Sequence, residues 1–382
     1  MTRPLAVYVH FPFCVSVCPY CDFVVYGGKE ARGPENRIAD LVNALETEIG
    51  LRAVPGSNLG SVYFGGGTPS LMSATQVERL LAAADAAFGL GADAEITIEA
   101  NPGGGERGDL AGFRAAGVNR LSIGAQSFDA TELKSLGRRH TPADIADTIR
   151  LARQAGFANI SLDLLYDVPG QTIDSWRATL AGTLALEPDH VSAYALTLDQ
   201  PEGDDHLPPR RGAQAWRARA AAQQDADRAA DMYEIADDAF AAAGLNWYEL
   251  SNWATPNNES RHNLTYWRSD AWEAVGPGAH AFDGDRTRRW NAARLDTYIS
   301  ALAAGRLPPG SFEESDPASA EAERAILALR TSSGVESLAG PNSAVLEWGL
   351  SESLLESVEE TVRLTRRGRL LSNELFARLL PA

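Results

Sequence analysis

The chain has 382 residues, 45% of them hydrophobic, and carries 34 Lys and Arg against 51 Asp and Glu, for a net charge of -17. Such a chain folds as two or three domains, or as one large barrel with an appendage. The acidic balance disfavours nucleic acid and anionic membrane surfaces, no apolar run approaches the ~20 residues that span a bilayer, and no signal-peptide core is present.

In chain order, short β-like runs at 5–11, 61–65, 95–100, 120–124, 159–165 and 190–198 alternate with Ala/Leu-rich helical stretches at 38–52, 74–88, 109–116, 143–155 and 173–185. That alternation predicts βα units on a parallel sheet. Six units make an α/β fold of the incomplete (β/α)6, TIM-like barrel type, with its active site at the strands' C-terminal ends. Residues 203–224 read as a polar loop and a surface helix, and 225–243 as an amphipathic helix closed by Gly244. Further on, 321–330 is helical and 346–380 reads helix, hairpin or loop at 365–371, then helix. This is a small α+β, winged-helix-like end domain, whose acidic bias argues against a DNA role. The division expected is 1–235 for the barrel, 236–305 for a connecting segment and 306–382 for the end domain.

The chain's three cysteines, Cys14, Cys18 and Cys21, fall within one loop directly after the first strand. An odd number in one loop cannot close a disulfide framework. Thiolates held so close repel unless a metal neutralises them, so the spacing predicts a metal site with three sulfur ligands. C-x3-C-x2-C does not match paired C-x2-C zinc knuckles, although His10 could complete a Cys3His set. A redox pair of Cys18 and Cys21 would leave Cys14 unexplained. A four-iron cluster normally takes four cysteines, so three would leave one iron open to a further ligand. Such oxygen-sensitive thiolates suit a reduced cytoplasm.

Further motifs sit at strand ends. Gly65-Gly66-Gly67-Thr68-Pro69 follows the second strand and can lie against a ligand, or can simply form a tight βα turn. Glu99 ends the third strand, where a carboxylate can accept hydrogen bonds from a ribose diol or an ammonium, or cap the next turn. Gln126 follows the fourth strand and Arg138 lies beyond it. Asp163 lies inside the apolar fifth strand and needs a partner if buried. Later come Arg261-His262-Asn263-Leu264-Thr265-Tyr266-Trp267 and Gly276-Pro277-Gly278-Ala279-His280.

The cysteine loop resembles that of the radical S-adenosylmethionine (SAM) enzymes. The ordered motifs together, across nearly the whole chain, resemble the branch that holds oxygen-independent coproporphyrinogen III dehydrogenase and the haem-chaperone proteins related to it. The resemblance implies a [4Fe-4S] cluster on Cys14, Cys18 and Cys21, whose open iron chelates the methionine moiety of SAM. It implies SAM contacts from Tyr8, Tyr20, Gly66, Gly67, Thr68, Glu99, Gln126, Arg138, Asp163 and Ala195. Asp167 departs from the branch's pattern, which usually has glycine there. The dehydrogenase pattern continues to a fourth cysteine, where this chain has Phe23, and carries an N-terminal extension. Both differences favour the chaperone group, as does His-Asn-x-x-Tyr-Trp. That group implies haem b as cargo and apo-haemoproteins as recipients. It leaves room for a peripheral membrane contact and a cluster-dependent dimer. His262 is the first candidate haem ligand and His280 the second, since histidine is a standard axial ligand. The plainer alternative for His262 is a hydrogen-bonded interior histidine.

Overall fold

The computed structural model describes the chain except residues 1, 34, 199–206, 208–211, 337–341 and 382. Six parallel strands follow the predicted alternation: β1 (Ala6–Phe11), β2 (Leu59–Gly66), β3 (Leu90–Ala100), β4 (Arg120–Gln126), β5 (Asn159–Tyr166) and β6 (His190–Ala195). Among the helices between them are α1 (Ile38–Leu51), α2 (Ala74–Phe88), α3 (Leu110–Ala115), α4 (Pro142–Gln154) and α5 (Ile173–Leu184), with a further short helix at Ala130–Ser135. Several starts are written locally. Ser73 with Gln76, Thr141 with Asp144 and Thr172 with Ser175 each close a reciprocal cap that satisfies two otherwise orphan backbone donors.

The strands alternate strictly. Val7, Val9, Val62, Phe64, Ile96, Ile98, Leu121, Ile123, Ile160, Leu162 and Val191 are buried in the main core with residues of α1, α2, α4 and α5. Each fully buried side chain of this kind stabilises the fold by roughly 1.5–3 kcal/mol. The intervening positions are mostly polar: Tyr8, Ser61, Tyr63, Glu95, Glu99, Arg120, Ser122, Ser161, Asp163, His190 and Ser192. They hydrogen-bond to one another across strands, as in Tyr63–Glu99, Ser122–Asp163 and Ser161–His190. A period of two thus places an oily face under the helices and a polar face in the concave interior.

The sheet continues well beyond these units. After α6 (Ala213–Ala221) and α7 (Ala226–Ala242) come β7 (Asn246–Glu249), β8 (Asn252–Ala254), the short helix α8 (Arg261–Trp267), β9 (Trp272–Val275), β10 (His280–Phe282), β11 (Thr287–Asn291) and β12 (Gly310–Glu314). The order is β12-β11-β10-β9-β1-β2-β3-β4-β5-β6-β8-β7, with β9 parallel to β1 and the outer strands antiparallel. The segments expected to connect and to begin the end domain therefore supply sheet strands, and the three-part division stands as a proposal about organisation. In the tail, the hairpin pairs Leu355–Val358 with Thr361–Leu364, and Arg366–Leu370 is helical. This moves the hairpin ahead of the expected 365–371. Together with helices Pro317–Leu329, Ser343–Ser351 and Ser372–Leu379 it encloses a separate small core around Leu329, Leu346, Leu355 and Leu375.

Candidate functional site

The cysteine loop leaves β1 and crosses the C-terminal ends of the strands. The glycine run is its floor: Gly67 N–H donates to the Phe11 carbonyl and Thr68 N–H to the Phe13 carbonyl, both at 2.8 Å. A Cβ on Gly67 would lie 2.7 Å from the Phe13 oxygen and 2.8 Å from the Phe11 oxygen. The backbone here approaches backbone, so part of what glycine was expected to do for a ligand it does for the cysteine loop. Gly66 has φ of +108°, and its N–H donates to Glu99 Oε2 at 2.9 Å.

Around the thiols, Thr68 Oγ1 lies 3.6 Å from Cys14 Sγ and Arg138 Nη1 lies 3.8 Å from Cys18 Sγ. Arg138 also donates to Gly124 O at 2.7 Å and to Asn101 Oδ1, and Asn101 donates to Thr68 Oγ1 at 3.0 Å. One polar network therefore ties Thr68, Asn101 and Arg138 to two of the three sulfurs. Burial first, with the neighbouring cysteines adding to it, pushes the Cys14 thiol up to about 11 and the Cys21 thiol to about 12. Alone these groups would stay protonated; only strong positive charge at the loop would ionise them together. A [4Fe-4S] cluster held by Cys14, Cys18 and Cys21 would supply that charge. Among the described residues no three His, Cys, Asp or Glu side chains are disposed to hold one ion. His10, which the Cys3His zinc alternative requires, has both ring nitrogens engaged, with the Tyr8 hydroxyl at 3.0 Å and the Val24 carbonyl at 2.8 Å.

The adjoining mouth fits a cationic ligand. Glu99 accepts from Tyr63 at 2.9 Å, yet burial first and the Asp163 charge second raise its carboxyl to about 7. Burial raises Asp163 as well, despite bonds from Ser122 at 3.0 and 3.1 Å. Glu99 and Asp163 are half-buried acids that Arg120 only partly offsets, and further positive charge, such as the ammonium and sulfonium of SAM, would favour their ionised forms. Gln126 stands at the end of β4 with φ of +66°, a conformation that a side chain rarely adopts without a local reason. Ala195 is exposed at the end of β6. Tyr20 packs near Trp216, with ring centroids 6.3 Å apart. When bound beside a four-iron cluster, SAM supplies a one-electron route to radical chemistry.

Sequence reasoning missed Arg217, on α6. Its guanidinium donates to the carbonyls of Pro19 at 3.3 Å, Tyr20 at 2.9 Å and Cys21 at 3.0 Å, and to Leu198 O at 3.3 Å. It clamps the second half of the cysteine loop from above. The sequence signal was an arginine in an alanine-rich helix, which reads as ordinary surface.

His262 and His280 lie apart. His262 is buried on α8, which enters the concave face. Glu95 accepts the backbone N–H groups of Arg261 and His262 at the helix start, both at 3.1 Å. His262 Nδ1 pairs with Ser61 Oγ at 2.8 Å and Nε2 with Tyr266 OH at 2.7 Å. Its ring stacks on Tyr63 at 5.0 Å. Burial, and then the positive charge of Arg120, lower its pKa to about 3. His262 thus offers no nitrogen to iron in this conformation; it has the geometry of the interior histidine. His280 is exposed on β10, stacked on Trp290 at 5.6 Å and 22°.

A parallel half-barrel with a three-cysteine loop and a glycine run at its mouth is the arrangement of a radical SAM protein, and the Radical SAM superfamily model matches residues 8–181. Coproporphyrinogen III oxidase (HemN) of Escherichia coli superposes over 99% of this chain and 90% of its own, with a TM-score of 0.78 at 23% identity, a likeness of fold. The chain is 36% identical to the heme chaperone HemW of Mycobacterium tuberculosis H37Rv, over 99% of this chain and 95% of that one. It is 33% identical to the Bacillus subtilis protein of the same name, over 98% and 99%. The chain belongs to the HemW family of the radical SAM superfamily.

Proposed function

We propose that this protein binds haem b and delivers it to apo-haemoproteins, with a [4Fe-4S] cluster on Cys14, Cys18 and Cys21. SAM would bind at the neighbouring mouth, against Tyr8, Tyr20, Gly66, Gly67, Thr68, Glu99, Gln126, Arg138, Asp163 and Ala195. The observation that carries this reading is the near-full-length kinship with proteins named heme chaperone HemW. The mouth supports the cofactor part: it gathers half-buried thiols and carboxyls whose ionised forms call for cationic partners. In this reading the cluster and SAM serve haem retention or release, in a reduced cytoplasm. Among the described residues no helix is long and apolar enough to cross a membrane. A cluster-dependent dimer and a peripheral membrane contact belong to the same proposal.

The second reading is oxidative decarboxylation of a porphyrinogen's propionates, as in a coproporphyrinogen dehydrogenase. The shared fold favours it and Phe23, in place of a fourth cysteine, opposes it. Anaerobic reconstitution with iron and sulfide, followed by haem titration and by assay with coproporphyrinogen and SAM, separates the two. Haem uptake without vinyl-group formation is expected. Conversion at a catalytic rate would replace the chaperone reading with the dehydrogenase one.

A further inference from the structure

Arg120 opens β4 on the concave face and is 2% exposed. Among the described residues its Nε has no hydrogen-bond partner. The side chains in register with it, Thr97 on β3 and Asn159 on β5, each carry a buried oxygen that is also unpaired, so neither oxygen accepts from the guanidinium. The acids that act on it are engaged elsewhere. Glu95 accepts the backbone N–H groups of Arg261 and His262, and Asp163 accepts from Ser122. Arginines that brace this fold look different: Arg138 and Arg217 donate to main-chain carbonyls. A buried charge without close partners costs stability, so bracing does not account for Arg120.

We infer that Arg120 is a positioning residue for the SAM mouth: its buried charge holds Glu99 and Asp163 as the carboxylates that receive the cationic part of SAM. The inference rests on the SAM reading above and adds a residue to it.

The strand register gives the placement. Ser122 is the next residue of β4 on the same face; it lies in register with Glu99 and donates to Asp163 at 3.0 and 3.1 Å. Arg120 therefore lies one side-chain step below the two acids, on the wall that joins them, buried where a charge reaches further than in water. The titratable groups that face the acids from the packed elements are acids and phenols. Glu99 is faced by Tyr8 of β1, Tyr63 of β2, Asp163 of β5 and Tyr266 of α8, and Asp163 by Tyr63 and by Tyr194 of β6. Arg138, the other arginine of the mouth, is turned to Asn101, Gly124 and the Cys18 sulfur. His190 and His262 also feel Arg120, but burial first and that charge second keep both neutral near pH 7. The two acids respond in the opposite sense: burial leads in raising them, and Arg120 is among the groups that lower them.

The test is SAM titration by calorimetry between pH 6.5 and 8.5 on the full-length protein with its reconstituted cluster. Wild type is compared with Arg120→Met, Arg120→Gln and Arg120→Lys, and cluster iron is measured alongside. The ligand's own ionisation and the cluster's charge are common to every variant and drop out of the comparison. Without the guanidinium the acids take up protons at higher pH, so both uncharged variants are expected to bind SAM about three- to tenfold more weakly than wild type at pH 6.5. At pH 8.5, where the acids are mostly ionised in either protein, their affinity should match or exceed wild type, because a charge opposing the cationic ligand is gone. A merely structural loss weakens binding at every pH. Arg120→Lys, which keeps the charge, should follow the wild-type profile, and cluster iron should be unchanged throughout. If the uncharged variants keep the wild-type profile, or weaken SAM equally at every pH, Arg120 is removed from the mouth while the SAM reading stands. If neither uncharged variant folds, the guanidinium is an element of the fold and the inference falls. Failure of wild type to bind SAM overturns the SAM reading itself.

Discussion

The half-buried strand-end mouth and the buried α8 plug are both polar, yet their electrostatics differ. At the plug, His262 has a partner on each nitrogen and Glu95 accepts two backbone N–H groups. At the mouth, burial pushes Glu99 and Asp163 up, the Asp163 charge raises Glu99 further, and two of the thiols are pushed up to about 11 and 12. Buried polar groups in a finished structure are satisfied. Where they are paired, the residues hold the fold; where charge is left unbalanced, they are built for something that arrives. The contrast separates two motifs that look equally functional in the sequence.

The largest effect expected from breaking the mouth is loss of the cluster. Cys14→Ser, Cys18→Ser and Cys21→Ser should each abolish a stable [4Fe-4S] centre, because no other cysteine exists to replace the lost ligand. Iron content and broad visible absorption after anaerobic reconstitution check this. A full four-iron complement in any single variant would defeat the assignment, and so would a mononuclear zinc in anaerobic wild type.

Breaking the plug should instead cost stability. His262→Ala leaves a cavity and strips partners from Ser61 and Tyr266, for roughly 2–4 kcal/mol by denaturant unfolding. Cluster iron should be unaffected in the fraction that folds. A variant as stable as wild type that loses haem would reverse the assignment and make His262 the ligand. The plug also has a pH signature. Burial holds His262 near 3 and His190 well below its ordinary value. The unfolded chain therefore takes up protons first, from about pH 6.5 downward. Stability is full above that value and falls as pH drops toward the folded pKa, by up to about 1.4 kcal/mol per unit for each histidine. Unfolding free energies between pH 7 and pH 5 test the slope, and His262→Ala should flatten it.

The Arg217 clamp falls between the two regions, since it is structural in form and acts on the mouth. Arg217→Ala removes four bonds to carbonyls, from a charged donor whose individual bonds contribute about 1.5–3 kcal/mol. The expected result is a cluster that forms but decays faster in air, with an altered electron paramagnetic resonance line shape. Arg217→Lys should recover only part of this, because an ammonium lacks the planar fork that reaches several carbonyls. An unchanged cluster lifetime would remove Arg217 from the site.

Much of the barrel was readable because one physical rule wrote it. Alternating residues such as Val62, Phe64 and Ile96, Ile98 sit under helices, and period-two patterns report that directly. The helix starts expected at 143 and 173 fall within one residue of those observed, Pro142 and Ile173. Strands β7 to β12 span only three to five residues each, too few for a period to show. Their pairing depends on neighbours far away in sequence. The tail hairpin was misplaced because Leu346 through Ser357 also carries a helical spacing; Glu359, with φ of +55°, is where the chain turns. The cysteine loop was legible because its chemistry is local. Arg217 was not, since its partners in the cysteine loop lie some two hundred residues away. The place of His262 was not either, because the motif states its composition and only the fold states that Ser61 and Tyr266 occupy its ring.

The smallest expected effect concerns Asp167, where the family resemblance leads one to expect glycine. Its φ of +55° is a conformation that glycine adopts without strain. The chain compensates with its carboxylate. Asp167 is buried and accepts two bonds from Arg228, one through Nε at 3.2 Å and a closer one through Nη2, joining the end of β5 to the start of α7. Asp167→Gly relieves strain of about 1–2 kcal/mol and forfeits the ion pair. Arg228 keeps partial exposure and is not left stranded. The two changes should nearly cancel, within about 1 kcal/mol, given that the pair also carries a desolvation cost. Asp167→Ala forfeits the same pair and keeps the strain, so it should be the less stable of the two. Chemical denaturation of both variants decides the point. If Asp167→Ala equals or exceeds Asp167→Gly in stability, backbone strain is not what selects the residue at this turn.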